Sequence, residues 1–377
     1  MKFLHIADLH LGKRMNDINL LEDQIFALNQ VVEIAKEEKV DAVLAAGDIY
    51  QQSSPRSEAM TAFNDFVCAL VDSGIKVFAI SGNHDSDRRV SYFSSLVRSS
   101  GVYVSEKFEG TLQKYTLSDE YGDVVISLLP FIRPVNVRKL FPEERIESYQ
   151  DAVSAVISRS SVDKRRRNIL LCHQFITGAQ MSDSEEKSLG GLDNIDASVF
   201  DDFDYVALGH IHKPQKMTRD TVRYSGSLLK YSLSEAAQKK SVSVVTIGKK
   251  GEIEIREREL SFLHDVREIK GTISEVMRMP YSEDYVRVTV TDETVPPDTK
   301  VSVTTVFPNM MKFAIENSKT KTDIDILAKE SMENKSITDM FIDFFRLQNN
   351  DVAPDEEYLE VFDEVLKGTE DDKYEAD

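Results

Sequence analysis

IKVFAISGNHD, residues 75–85, sets the reading of the first half of the chain. An apolar run long enough for one buried strand stops at Gly82, and Asn83, His84 and Asp85 follow at once. A strand that ends on ligand-type side chains delivers them to one edge of a sheet. The same arrangement recurs on either side. KFLHIADLH (2–10) ends in Asp8-x-His10, and DAVLAAGD (41–48) ends in Gly47-Asp48. Further on, NILLCH (168–173) ends in His173, and DYVALGHIH (204–212) ends in Gly209-His210-Ile211-His212. Residues 22–38 carry Ile25, Leu28, Val31, Val32 and Ala35 at helical spacing, and residues 57–72 do so with Met60, Phe63, Val67 and Leu70.

Beyond this βαβ alternation the chain is richer in strands. Residues 102–130 form short strands ending in DVVISLLPF, and a polar helical stretch runs to about residue 166. Strands follow at 168–173, 204–210, 222–226 and 241–247. The pattern predicts an α/β fold of two sheets packed face to face with helices outside. After residue 265 a smaller α+β unit begins. YVRVTVTDE (285–293) reads as a strand, and VSVTTVFPNMMKFAIEN (301–317) as a strand and then a helix. Residues 336–347 space Ile337, Met340, Phe341 and Phe344 helically. A last helix starts near Pro354, carries Tyr358, Leu359, Phe362, Val365 and Leu366, and stops at Gly368. The domains expected are 1–262, 263–330 and 331–377.

Composition narrows the class. A chain of 377 residues is comfortable as more than one domain, and 41% hydrophobic residues exclude a disordered or fibrous protein. No apolar run reaches the roughly 18 residues a membrane span needs. MKFLHIADLH holds Asp8 and two histidines, which a secretory leader does not tolerate. Cys68 and Cys172 sit in apolar stretches and read as small buried side chains. A soluble cytoplasmic protein is expected. Residues 350–377 hold twelve Asp or Glu and two Lys, so a net of −10 of the chain's −19 belongs to the tail and −9 to the remaining 349 residues. A local basic surface for nucleic acid is therefore compatible with the acidic total. Its candidates are Arg88, Arg89, Arg133, Arg138, Lys139 and the run Lys164–Arg167, each of which singly could also be an ordinary solvated charge.

Taken one by one, the polar segments have ordinary explanations: a capped turn at GNHD, a core histidine at His173, a strand cap at GHIH. Together, in this order and at strand ends, they make a metal site. Side chains two apart on a strand point the same way, so Asp8 pairs with His10 and His210 with His212. Glycines at 47, 82 and 209 allow tight turns beside a crowded centre. Asp8, His10, Asp48, Asn83, His173, His210 and His212 are too many ligands for one ion and suit two ions sharing a bridge. Without thiolate, the oxygen/nitrogen set favours Mn²⁺, Fe or Zn²⁺ over Mg²⁺. Such a pair supports in-line displacement at phosphorus. His264, outside these segments, reads as a surface histidine.

D-x-H, GD, GNHD, an isolated His and GHxH in this order resemble the calcineurin-like metallophosphoesterase superfamily. MKFLHIADLHLGK, AAGDIYQQSSP, ISGNHDS, ALGHIHKPQ and YSGSLLKYS resemble the SbcD family more closely, as do REIKGTISEV (267–276) and SEDYVRVTVTDE (282–293). The resemblance covers essentially the whole chain. It implies a four-layer α/β/β/α nuclease domain, a small DNA-facing cap, and C-terminal helices that dock a coiled-coil SbcC-type ATPase. One Mn²⁺ would be held by Asp8, His10, Asp48 and His212, the other by Asp48, Asn83, His173 and His210. His84 would be the catalytic histidine, a proton donor and not a ligand. Relatives commonly carry Asp or His three residues after the bridging aspartate. Gln51 stands there here, able to orient His84 through its amide oxygen; Asp85 is the alternative. The family acts on DNA as an exonuclease and a single-strand and hairpin endonuclease, and its helices near 57–72 and 90–98 suggest a homodimer within a heterotetramer.

Two other readings follow from the same residues. Protein phosphatases of the superfamily resemble GDxVDRG at the second motif, where this chain has GDIYQQSS, and such an enzyme would leave the C-terminal 110 or so residues unexplained. A non-catalytic scaffold would have lost ligands, and none is lost here.

Overall fold

The structure is a computed structural model that describes residues 1–16, 18–185 and 194–318, and beyond them residues 341–342, 345–346, 354, 358–359 and 361–362. Two six-stranded sheets dominate. The first runs in the order Ile253–Glu259, Ser241–Ile247, Lys2–Ile6, Ala42–Ala46, Lys76–Ile80, Val102–Val104. Its last four strands are parallel, and Ser241–Ile247 lies antiparallel on Lys2–Ile6. The second runs Gln215–Lys216, Val222–Tyr224, Tyr205–Gly209, Arg167–His173, Gly122–Leu129, Gln113–Asp119, with the four central strands parallel.

Three apolar layers explain the stacking. Phe3, Leu44, Phe78, Ile126, Leu171, Tyr205 and Val245 fill the space between the sheets. Leu4, Val43 and Val77 face the other way, onto the helices Leu21–Glu37 and Ser57–Asp72. Leu170, Cys172, Val206 and Leu208 face the helices Pro134–Leu140 and Tyr149–Arg159. Ala42–Ala46 and Arg167–His173 are buried at every residue, as parallel strands covered on both faces must be. The fold is the expected four-layer α/β/β/α sandwich. Its helices begin where local chemistry starts them: Glu22 and Asp23 lie in the first turn of one, and Ser148 and Asp151 form a capping box on another.

The chain divides into two compact units. The first holds residues 1–269, 279–288 and 301–312, and the second 270–278, 289–300 and 313 onward. A three-stranded sheet has the order Val266–Gly271, Tyr285–Val290, Met310–Ile315. Here the sequence expectation is reversed: residues 299–304 are the helix and Met310–Ile315 the strand. Val301 and Val303 have strand propensity, but the helix opens directly after Pro296-Pro297-Asp298, and the edge of Tyr285–Val290 recruits Met310–Ile315. The helix expected near 90–98 is also broken, into Asp87–Val90 and Ser94–Val97, by Phe93 at φ 68°. Of the C-terminal helices, Ile337, Met340, Phe344, Val365, Leu366 and Gly368 lie outside the described residues.

Candidate metal centre

The strands Lys2–Ile6, Ala42–Ala46, Lys76–Ile80, Arg167–His173 and Tyr205–Gly209 bring their carboxyl ends to one place, and the polar segments meet there. Three groups of ligand atoms lie within 4.8 Å of one another: Asp8, His10 and His212; His10, Asp48 and His84; Asp8, Asp48 and His173. Asp48 links them. Its Oδ2 is 3.5 Å from His10 Nε2 and 3.4 Å from His173 Nε2. On the His173 side, Asn83 Oδ1 lies 3.1 Å from His173 Nε2 and 3.0 Å from His210 Nδ1. On the other, His10 Nε2 and His212 Nε2 face each other at 3.0 Å. All seven expected ligands are thus brought together.

Local backbone, not strand alternation, aims several of them. Asp8 and His10 lie beyond the end of Lys2–Ile6 with φ of 53° and 45°, Asp48 has φ 50°, and His210 has φ 104°. Side chains rarely accept such angles, and their concentration here marks a site that the surrounding fold holds in place. The glycines serve close approach as much as turning. A Cβ on Gly82 would lie 2.1 Å from Asp48 Oδ1, and one on Gly209 would lie 1.9 Å from the Ala46 carbonyl oxygen.

One orphaned atom tests whether a cation fits. Asp8 Oδ1 accepts the His210 N–H at 2.9 Å, while its Oδ2, buried, has no hydrogen-bond partner. A fully buried carboxylate oxygen without a donor is costly unless a cation takes that place. The electrostatics agree. Burial pushes the Asp8 carboxyl up and the His10 and His210 rings down. Against burial, His173, His10 and His84 hold the Asp48 carboxyl well below the usual range, and Asp48 in turn raises His173. A proton on His173 stands where a dication would otherwise balance Asp48. His173 Nδ1–H donates to the Ala46 carbonyl at 2.8 Å, which leaves Nε2 to face the centre. The donor set fits two ions.

A model of the calcineurin-like phosphoesterase family matches residues 1–214. The chain belongs to this family. It is a metal-dependent phosphoester hydrolase, and the family fold with the His/Asp cluster supports two metal ions. A second model, SbcD_C, described as a type 5 capsule protein repressor C-terminal domain, matches residues 263–349. Among solved structures, a dimetal phosphatase from Danio rerio is 13% identical, with 70% of this chain and 98% of that one covered at a TM-score of 0.42. The protein TT1561 of Thermus thermophilus is 14% identical over 68% of this chain and 98% of that one, with a TM-score of 0.36.

The phosphoesterase loops are tied together by residues around the ligands. Asp85 accepts the main-chain N–H groups of Ile49, Tyr50 and Gly82 at 2.9–3.0 Å, so both its oxygens serve to staple the GD loop to the GNHD loop. His84 Nδ1 meets the Gln51 main-chain oxygen. Gln24 and Tyr231, which the sequence reading missed, hold the carbonyls of Leu9 and His10. Ser184, Glu185, Glu235 and Lys240, also missed, surround His212. Tyr231 lies within YSGSLLKYS, but no motif marks the other five, because their role depends on partners brought in from distant segments. His5 lies between the sheets, against the Tyr205 hydroxyl and the Leu208 carbonyl, away from the ligands.

Three expectations need correction. Cys68 is exposed, and only Cys172 of the two is a buried side chain. His264 is not a surface histidine: its Nδ1 is 3.0 Å from buried Asp23, which also accepts the Tyr285 hydroxyl. The basic run 164–167 is neutralised throughout, with Lys164 on Asp202, Arg165 on Asp163, Arg166 on Asp123 and Arg167 on Asp119. Arg88, Arg89 and Arg133 are exposed, the first two on Asp87–Val90 and the last at the start of Pro134–Leu140; Arg89 also donates to the Ser53 carbonyl.

Proposed function

We propose that this phosphoesterase is the Mn²⁺-dependent DNA nuclease subunit of an SbcC–SbcD-type complex, a double-strand exonuclease and single-strand and hairpin endonuclease acting in the cytoplasm. The observation that carries this reading is the pairing, in one chain, of the phosphoesterase match over residues 1–214 with the SbcD_C match that begins at residue 263. Residues 1–262 would be the nuclease domain, 263–330 the DNA-facing cap and 331–377 the segment that docks the ATPase. Arg88, Arg89 and Arg133 are exposed cations available to a phosphate backbone.

Asp8, His10, Asp48 and His212 would hold one ion, and Asp48, Asn83, His173 and His210 the other, with Asp48 Oδ2 facing both sets. When bound, the two dications supply Lewis acidity, acidifying a water for attack at phosphorus and neutralising phosphoryl charge. The chain's own part is positioning and proton transfer. The Gln51 carbonyl takes the Nδ1–H of His84 and fixes the ring, so that Nε2, 4.0 Å from Asp48 Oδ2, faces the centre. From there His84 donates a proton to the departing deoxyribose oxygen.

Exposed Tyr92, Phe93, Leu96 and Met60, at 72%, 56%, 66% and 49%, support a second copy of the chain as partner. Among the described residues no helix is long and apolar enough to cross a membrane. A cleavage assay with Mn²⁺ on linear, hairpin and single-stranded circular DNA, with and without the ATPase, tests the reading. Cleavage of DNA is expected; release of inorganic phosphate from a phosphomonoester with all DNA left intact would replace it with a small-substrate phosphatase.

A further inference from the structure

Three charged side chains outside the ligand set are buried beside His212. Glu235 and Lys240 are 0% and 1% exposed, and Glu185 is 8% exposed. A buried ion pair seldom adds net stability over apolar packing, because desolvation offsets the Coulomb gain. This pair has another correlate: each member also reaches His212, Lys240 directly and Glu235 through Ser184. Lys240 Nζ donates to Glu235 Oε2 at 2.6 Å and to the His212 main-chain carbonyl at 2.8 Å. Glu235 Oε1 accepts the Ser184 hydroxyl at 2.5 Å, and Ser184 Oγ lies 2.6 Å from His212 Nδ1. Glu185 Oε1 accepts the His212 N–H at 2.7 Å.

Proton bookkeeping fixes the direction of the chain. Glu235, paired with Lys240, is an acceptor only. Ser184 has a single hydroxyl proton, which goes to Glu235, so its lone pair accepts from His212. His212 therefore carries its proton on Nδ1, and its Nε2 is an unprotonated lone pair directed at the centre, facing His10 Nε2 at 3.0 Å. The ring is held through Nδ1, the main chain through both its N–H and its carbonyl.

We propose that Ser184, Glu235 and Lys240 form a positioning relay that selects the metal-binding tautomer and orientation of His212. This rests on the reading of His212 as a ligand of one of two ions. Outer partners of this kind typically contribute 10–100-fold to metal affinity. Ser184 is the informative position, because Ser184→Ala breaks the link to the ring and leaves the Lys240–Glu235 pair intact.

Calorimetric titration of the full-length, metal-stripped chain with MnCl₂ tests the relay, beside the thermal midpoint of the metal-free protein. In wild type two ions are expected to bind. In Ser184→Ala one of the two affinities should drop by about 10–100-fold and the other should hold, while the metal-free midpoint falls because Glu235 Oε1 and His212 Nδ1 lose the hydroxyl between them. Ser184→Thr, which keeps the hydroxyl, should restore the lost affinity. Two wild-type affinities in Ser184→Ala, or two affinities that fall together, overturns the relay and leaves the two-metal reading standing. Wild type that takes up no Mn²⁺ removes both.

Discussion

His84 Nδ1 lies 3.2 Å from the main-chain oxygen of Gln51, whereas the Gln51 side-chain oxygen is buried without a hydrogen-bond partner. The amide oxygen expected from the sequence to orient the ring is thus replaced by a carbonyl that any residue at position 51 would present. Gln51→Ala should keep cleavage within about threefold of wild type, since the hydrogen bond to the ring survives. His84→Ala should lower it about 10²–10⁴-fold, the usual weight of a general acid, with metal content unchanged. Rates and bound metal measured on both variants decide the matter. A collapse in Gln51→Ala, or metal loss in His84→Ala, would mean the roles are assigned wrongly.

Asp48 faces both halves of the ligand set from a single oxygen atom. Asp48→Ala should empty both metal positions and abolish detectable cleavage, whereas His10→Ala should weaken one position only. Metal stoichiometry by elemental analysis separates the two; an Asp48→Ala protein that keeps one tight ion argues against a shared carboxylate.

Acid stability should depend on Asp119. Its carboxylate accepts Arg167 Nη1 and Nη2 at 3.0 and 2.5 Å and the Met1 ammonium at 2.9 Å. Arg167, and after it the chain terminus, hold its pKa well below the ordinary range. A depressed carboxylate stabilises fully above the unfolded pKa of about 3.9 and loses that contribution as pH falls through the lower folded value. Asp119→Asn should therefore lower stability near neutrality, by a gap that narrows below about pH 4. Urea unfolding of both proteins across that range checks it, and a gap independent of pH would rule the linkage out.

The exposed Tyr92, Phe93 and Leu96 should be covered in solution by a second copy. Light scattering at micromolar concentration should give a dimer for wild type and a monomer for Leu96→Glu. A wild-type monomer would leave this patch for another partner.

Phe341 stacks on Phe362 at 4.0 Å, so two aromatic side chains of the C-terminal segment proposed for docking pair with each other. Truncation after about residue 330 should still abolish binding of an SbcC-type ATPase and spare Mn²⁺-dependent cleavage. Retention of the partner by the truncated chain would move the docking site elsewhere.

The ligand segments were legible because each couples an apolar strand to a short polar string, and both signals are local. What aims Asp8, His10 and His210 was not, since left-handed backbone at a non-glycine residue is imposed by the fold around it. The exchange of helix and strand across 299–315 has the same origin: β-branched residues there carry strand propensity, and the neighbouring sheet chose Met310–Ile315 instead. Glu235 and Lys240 carry no sequence signature at all. A charged residue looks like a surface residue until its partner, here the main chain of His212, is known.

The approach of Gly209 to the Ala46 carbonyl fixes the fold at one end. Stacked sheets ordinarily stand about 10 Å apart, separated by interleaved side chains. Phe78 and Tyr205 fill that gap in the body of the sandwich. At the carboxyl ends of Ala42–Ala46 and Tyr205–Gly209 there is no room for even a methyl group, and His173 bonds across from one sheet to the other. The two sheets behave as the jaws of a pair of pliers whose tips are in contact. Spacing between the ligand halves is then a property of main-chain contact and not of side-chain packing, so the loops around the rim can be reshaped for different substrates without changing the grip.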